Sequence, residues 1–215
     1  MELPPLRRLA SSSDPSGEET LDLFELLFPP EELEPREVIR EEWSGSPFET
    51  WVFEEGGRVG GLCRGRVSPR GDWCWIVHVG LHPHLRGRSW GAPLVRQGIK
   101  AITQGHPEFK GTILEVEREE DASTPDDLVS RQRRLAFFAK LGAVKLTCTY
   151  IQASVRPGCP PVPLNLLWLP QSSETPDKTR LIEDFYQVAF DLGMDHPYVR
   201  SALGQVPLGE AILSS

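Results

Sequence analysis

The sequence predicts an α/β protein, and three observations carry that prediction. Apolar residues near the start of the chain fall at helical spacing, as Leu23, Phe24, Leu27 and Phe28. After residues 45–47 the period changes to two, and strands follow one another across glycine-bearing turns. An apolar run then passes through a short basic turn into an amphipathic helix, in the stretch Trp73–Lys100.

Taken in order, residues 3–10 read as a first strand. Asp14, Pro15, Ser16 and Gly17 turn the chain into a helix over Glu18–Phe28, which Pro29-Pro30 ends. A second helix is expected over Glu31–Trp43, with Leu33, Val38 and Ile39 on one side and Pro35 in its first turn. Thr50–Glu54 is a strand, Glu55-Gly56-Gly57 a hairpin turn, and Arg58–Val67 the next strand. Pro69-Arg70-Gly71-Asp72 turns into the fourth strand, Trp73–Leu81. Trp90–Thr103 is the third helix, Gly111–Arg118 the fifth strand, and Glu119–Val129 a long acidic loop. Arg131–Leu141 is a helix stopped by Gly142. Val144–Gln152 and Leu164–Leu169 are the last two strands, joined by the proline-rich Val155–Pro163. A further helix opens at Thr175-Pro176-Asp177, carries a wide apolar stripe from Leu181 to Leu192 and ends at Gly193. The tail, with Gly204, Pro207 and Gly209, carries little signal.

Composition narrows the classes. At 215 residues with 39% hydrophobic and 25% charged content, the chain can bury one sizeable core and carry an appendage. A net charge of −8 repels phosphate backbones, which speaks against nucleic acid and suits a cationic amine. No apolar run approaches the ~20 residues of a membrane span, and the N-terminal MELPPLRRL has no signal-peptide core, so a cytoplasmic protein is expected. The four cysteines form no Cys-x-x-Cys pair, so no metal or redox motif is expected. Cys63 and Cys74 either bridge the hairpin turned at residues 68–72 or are small core residues; a cytoplasmic setting favours the second.

The order strand, cationic turn, helix aims backbone N–H groups and the positive end of a helix dipole at one point, which suits a pyrophosphate. Leu81-x-Pro83-x-x-Arg86-x-x-Ser89-x-Gly91 resembles the acyl-CoA-binding turn of the GNAT family of acyl-CoA-dependent N-acetyltransferases. Leu114-Glu115-Val116, followed later by the run from Arg134 to Ala143, is similar to a second segment of that family. The element order agrees with the family over about residues 3–170. The resemblance implies a mixed, mostly antiparallel central sheet flanked by helices, a GNAT domain over 1–170 and a helical extension over 171–215. It also implies acetyl-CoA as co-substrate and transfer of its acetyl group to a primary amine of a small molecule or peptide, by direct attack in a ternary complex. A catalytically weak CoA-binding or regulatory protein on the same fold is the alternative. A dinucleotide-binding fold is disfavoured, because no Gly-x-Gly-x-x-Gly follows the first strand.

Carried over residue by residue, the resemblance gives the CoA to Arg86, Gly87, Arg88, Ser89, Trp90, Gly91 and Ala92. It gives the pantetheine arm and the thioester carbonyl to Val79, Gly80 and Leu81, a backbone donor being worth ~3 kcal/mol in such a role. Ser89 stands where the usual motif has glycine. Glu115 matches a family base, and Glu117, on the same strand face, is its reserve; pairing of either with Arg131 or Arg134 is the structural alternative. Arg131 either touches the CoA or caps a carboxylate. Phe138 falls where a tyrosine often protonates the leaving thiolate, and Trp75 where some members have a glutamate, so Tyr150 is the remaining candidate acid. His78 is a second possible base, with packing as the other reading. The acidic stretch 119–127 is either solvated charge or a funnel for a cationic acceptor. The C-terminal helix covers the sheet, closes the acceptor cleft or makes a homodimer contact.

Overall fold

The computed structural model describes residues 2–174 and 176–206. Thr175, Pro207 and Gly209, which the sequence reading touches, lie outside them. The chain divides into two compact units, residues 1–109 with 155–157, and residues 110–154 with 158–215.

In the first unit, β1 (Arg7–Arg8), β2 (Glu49–Glu55), β3 (Arg58–Val67) and β4 (Trp73–Leu81) form an antiparallel meander. Gly56 and Gly57 join β2 to β3 with φ of +62° and +78°, the conformation that a two-residue hairpin demands and that glycine adopts without strain. Arg64 pairs with His78 and Gly65 with Ile76, so Val77 is an extra residue that bends β4. Cys63 lies opposite Val79 and Cys74 opposite Val67; neither is in a disulfide and both are buried, as small core residues.

Successive residues of β3 serve opposite layers. Leu62 joins Leu21, Phe24, Ile39 and Trp43 in a core beneath α1 (Gly17–Leu27) and α2 (Arg36–Glu42). Cys63 instead meets α3 (Gly91–Ile102) at Gly98, where a Cβ would strike its sulfur. The helix expected over 31–43 is shorter. Leu33 and Pro35 are extended, with ψ of 134° and 144°, and Pro35 stands outside the helix as its N-terminal flank. Only a single 3₁₀ turn, Pro30–Glu32, precedes it.

Arg64 continues the Leu62 face and has no exposed surface. Its guanidinium reaches Glu42 at 2.7 Å and Glu34 at 3.1 Å, contacts His78 Nδ1 at 3.2 Å and lies 4.5 Å over the Phe48 ring. Burial is the largest influence on Glu34 and opposes its ionisation, but the charge and hydrogen bonds of Arg64, together with His78, outweigh it and hold that carboxyl below the usual range. Burial pushes Glu42 up despite the same partner. His78, enclosed by Phe24 and Phe28, is brought down to about 4, first by burial and then by the Arg64 charge.

In the second unit, β5 (Gly111–Glu117) pairs antiparallel with β8 (Val162–Pro170), and the other edge of β8 takes β6 (Val144–Lys145) and β7 (Tyr150–Gln152). The single strand expected over 144–152 is therefore broken. Val144 faces Trp168 and Tyr150 faces Leu164, so residues 147–149 loop out of the ladder. The α4 helix (Pro125–Leu141) starts six residues earlier than expected. Thr124 caps it by accepting from Asp127 N at 3.1 Å, and Pro125 opens it, so half of the supposed acidic loop is helix. Gly142, at φ +100°, stops it as expected.

The C-terminal helix is α5 (Lys178–Phe190), and α6 (Pro197–Ala202), absent from the sequence reading, follows it. Asp177 is the cap of α5, accepting from Thr179 N and Arg180 N, so Pro176 lies before the helix. Asp191, with φ of +56°, ends it in place of Gly193. The apolar stripe covers the sheet edge within this unit: Phe185 and Tyr186 pack on Tyr150 with ring centroids 5.7 and 5.4 Å apart. The Tyr186 hydroxyl donates to Ile151 O at 2.9 Å and accepts from Ile151 N at 3.0 Å. Among the described residues no helix is long and apolar enough to cross a membrane.

Two outcomes follow from this packing. Tyr186→Phe strands both backbone groups of Ile151 and is expected to cost about 1–3 kcal/mol in urea unfolding. His78, neutral when folded, takes up a proton on unfolding at any pH between about 4 and its ordinary 6.5. Stability should therefore fall as pH falls across that window, by roughly 3 kcal/mol for this group alone. Glu42, held up on folding, opposes the trend. The same titration on His78→Gln should give a shallower slope.

Candidate active site

The stretch from β4 to α3 is an exposed turn held between two buried anchors. His82 accepts from His84 N, and a 3₁₀ turn over Pro83–Leu85 follows. Leu85 is fully buried, close enough to Gly60 that a Cβ there would meet its Cδ1 at 2.8 Å. On the far side Trp90, also buried, stands edge-on to Phe53 at 5.7 Å. Between them Arg86, Gly87, Arg88 and Ser89 face solvent.

The backbone of this turn changes hand along its length. Gly87 has φ of +83° and Ser89 has φ of +59°, followed by Trp90 in the right-handed helical region. Alternating hands of this kind turn successive N–H groups to one side, as in anion-binding nests. The N–H groups of Gly91 and Ala92 open α3 and have no partner within the helix, while Pro93 has none to offer. The first helical bond runs from Leu94 N to Trp90 O, at 2.9 Å. Arg88 pairs with Glu55 at 2.7 Å and lies 5.2 Å over the Trp90 ring. Among the described residues Arg86 has no ion-pair partner, so its charge is available at the turn. Val79, Gly80 and Leu81, at the end of β4, are paired with Cys63, Leu62 and Gly61.

In the second unit, Glu115 and Glu117 share a face of β5, opposite Leu166 and Leu164 of β8. Glu115 is half-buried. Its Oε1 accepts from the Tyr150 hydroxyl and, at 3.2 Å, from Gln152 Nε2; both residues reach it across β8 from β7. Tyr150 is buried, and burial followed by the charge of Glu115 raises its pKa far above the usual phenol. Glu117 is paired with Arg134. Arg131 bonds Asp127 at 3.0 Å and the carbonyl of Arg118, so it closes the start of α4. Glu120 and Asp121 pair with Arg118 at 2.7 and 3.2 Å, which ties up much of the acidic stretch. His78 is enclosed in the Arg64 cluster, and Trp75 and Phe138 are buried. The sequence reading missed Gln152, whose signal was its spacing of two from Tyr150, and missed the Arg64 cluster.

The sequence profile of the acetyltransferase (GNAT) family matches residues 17–125, just over half of the chain. The chain belongs to that family. A search by sequence among curated proteins finds no match. Among solved structures, a GNAT-family putative acetyltransferase from Bacteroides thetaiotaomicron superposes with a TM-score of 0.68 at 17% identity, over 87% of this chain and 98% of that one. Arabidopsis thaliana NAA60, solved with acetyl-CoA, gives 0.56 at 12% identity, over 77% of this chain and 97% of that one. An aminoglycoside 6′-N-acetyltransferase, solved with coenzyme A, gives 0.56 at 13%, over 80% and 99%. These likenesses show the GNAT fold, a mostly antiparallel sheet flanked by helices.

Within this GNAT protein Ser89 holds a left-handed backbone that costs a non-glycine residue about 1–2 kcal/mol. Ser89→Gly removes that cost but gives the unfolded chain more freedom. A net stabilisation of up to about 1 kcal/mol is expected in thermal unfolding. A loss of stability would show that the hydroxyl makes a contact worth more than the strain.

Proposed function

We propose that the protein transfers the acetyl group of acetyl-CoA to a primary amine of a small molecule or peptide. The observation that carries this reading is the 86–91 turn: two buried anchors hold an exposed, cationic, left-handed backbone at the head of a twelve-residue helix. A pyrophosphate would take the N–H groups of Gly87 to Ala92 and the charge of Arg86. The solved relatives that carry acetyl-CoA or coenzyme A support the choice of ligand.

In the reaction, the amine nitrogen bonds to the thioester carbonyl carbon, the C–S bond breaks, and the amine gives up a proton. Glu115 takes that proton, directly or through water. Tyr150 holds its carboxylate in place together with Gln152. Because the Tyr150 hydroxyl is committed to Glu115, the thiolate is given its proton by water, and Phe138 leaves no side-chain donor at the usual position. Leu81 N–H, which the β3 ladder does not use, serves the carbonyl oxygen as charge develops on it.

Release of CoA thiol in the presence of a panel of amines tests the reading. Glu115→Gln is expected to lower turnover by ~100-fold while the CoA-induced rise in melting temperature persists. Arg86→Ala is expected to weaken that rise. CoA binding with no thiol release from any amine would instead favour a regulatory CoA-binding protein. Unchanged CoA affinity in Arg86→Ala would remove the turn from the site.

A further inference from the structure

Three side chains of the second unit converge on one face of its sheet. Glu115 lies opposite Leu166, Tyr150 opposite Leu164 and Gln152 opposite Val162, positions of the same parity on β8. The Tyr150 hydroxyl and, at 3.2 Å, Gln152 Nε2 therefore both reach Glu115 Oε1 from β7, across the width of β8. The strand that carries these two donors is three residues long. The 147–149 excursion precedes it, and its pairing with β8 ends at Gln152.

The other edge of β7 is held by α5. In an antiparallel ladder the N–H and C=O of one residue point to the same side. Ile151 faces Pro163, which has no N–H to offer, and both of its own groups turn away from β8 to one atom, the Tyr186 hydroxyl oxygen. That hydroxyl donates to Ile151 O at 2.9 Å and accepts from Ile151 N at 3.0 Å, doing for this edge what a further strand would do. Ile151 stands between the two donors. Its N–H belongs to the peptide shared with Tyr150 and its C=O to the peptide shared with Gln152, so one hydroxyl pins the backbone of both.

We propose that Tyr186 is a positioning residue: through Ile151, the C-terminal helix sets the two donors that hold the Glu115 carboxylate. This rests on the reading of Glu115 as the base. It gives α5 a part in the reaction besides covering the sheet edge.

Donors to a carboxylate favour its charged form, so loosening them raises the pH at which Glu115 titrates. The phenols of Tyr150 and Tyr186 are coupled to Glu115, Cys148 acts on both phenols, and Glu117 with its partner Arg134 lies two residues along β5. Burial raises the thiol to about 11 and both phenols above their usual value. These three groups stay neutral where carboxylates titrate.

The test is an NMR titration of the Glu115 side-chain carboxyl carbon in the full chain, its signal identified by its loss in Glu115→Gln. Tyr186→Phe keeps the ring and removes the hydroxyl. It is expected to raise the titration midpoint by up to about one pH unit, the size of one hydrogen bond lost. In a Tyr150→Phe/Gln152→Leu background, where both donors are gone, Tyr186→Phe should move the midpoint no further. Ile182→Val, a buried packing change in the same helix, should lower the melting temperature and leave the midpoint in place. A midpoint unmoved by Tyr186→Phe, one moved as far by Ile182→Val, or a further shift in the background without donors would overturn the proposal. Thiol release from acetyl-CoA with the most reactive amine of the panel keeps the two readings apart. Tyr186→Phe is expected to lower kcat by about tenfold with KM for acetyl-CoA unchanged. Turnover that falls in Glu115→Gln but not in Tyr186→Phe would overturn the positioning role alone. Wild-type turnover in Glu115→Gln would overturn the reading of Glu115 as base and leave the titration result standing.

Discussion

The first unit is arranged around one buried cation. A guanidinium on a central strand with no exposed surface is tolerable only if its charge and donors are met, and breaking such a cluster on one side typically costs 3–5 kcal/mol. Arg64 is met by Glu34 from the extended link before α2, by Glu42 from the last turn of α2, and by His78 from β4. Those contacts fix the segment 29–43 against the sheet, which its short helix could not do alone. Residues 155–157 join the same unit, where Arg156 donates to Leu33 O at 2.7 Å, one residue from Glu34.

From that cluster the order passes along β4. His78 is locked in register with Arg64, the extra residue Val77 sits just before it, and Val79 to Leu81 run on to the turn. Leu85 and Trp90 then anchor the two ends of the exposed cationic loop in the core. The loop can hold a left-handed serine because both flanks are fixed. Strain at a site persists only where the surroundings over-determine it.

Much of this was legible in the sequence, for physical reasons. The strands β3 and β4 were readable to the residue, because a Gly-Gly hairpin and a Pro-Arg-Gly-Asp turn punctuate an alternating pattern. Gly142 marked the end of α4 because only glycine takes that φ freely. The start of α4 was not read: Thr124-Pro125-Asp126-Asp127 is a capping signal, but its carboxylates look like loop charge until the Thr124 and Ser123 bonds to Asp127 are seen. Arg64 was hidden because a strand arginine normally points to water, and its partners lie 22 and 30 residues away. The break in the strand at 147–149 depends on how β8 pairs, which no local pattern encodes. The position of the 86–91 turn and the strand face of Glu115 were readable from motif and period, whereas the hydrogen bonds of Tyr150 and Gln152 to Glu115 depend on the β8 register.

The 86–91 turn is proposed to hold a pyrophosphate. Amide hydrogen exchange with and without acetyl-CoA tests it at the groups concerned. These amides are exposed or at the open end of a helix, so they should exchange fast in the free protein. Acetyl-CoA is expected to slow exchange at Gly87 to Ala92 more than anywhere else in residues 1–109. Protection elsewhere, with the 87–92 amides exchanging as before, would contradict the account.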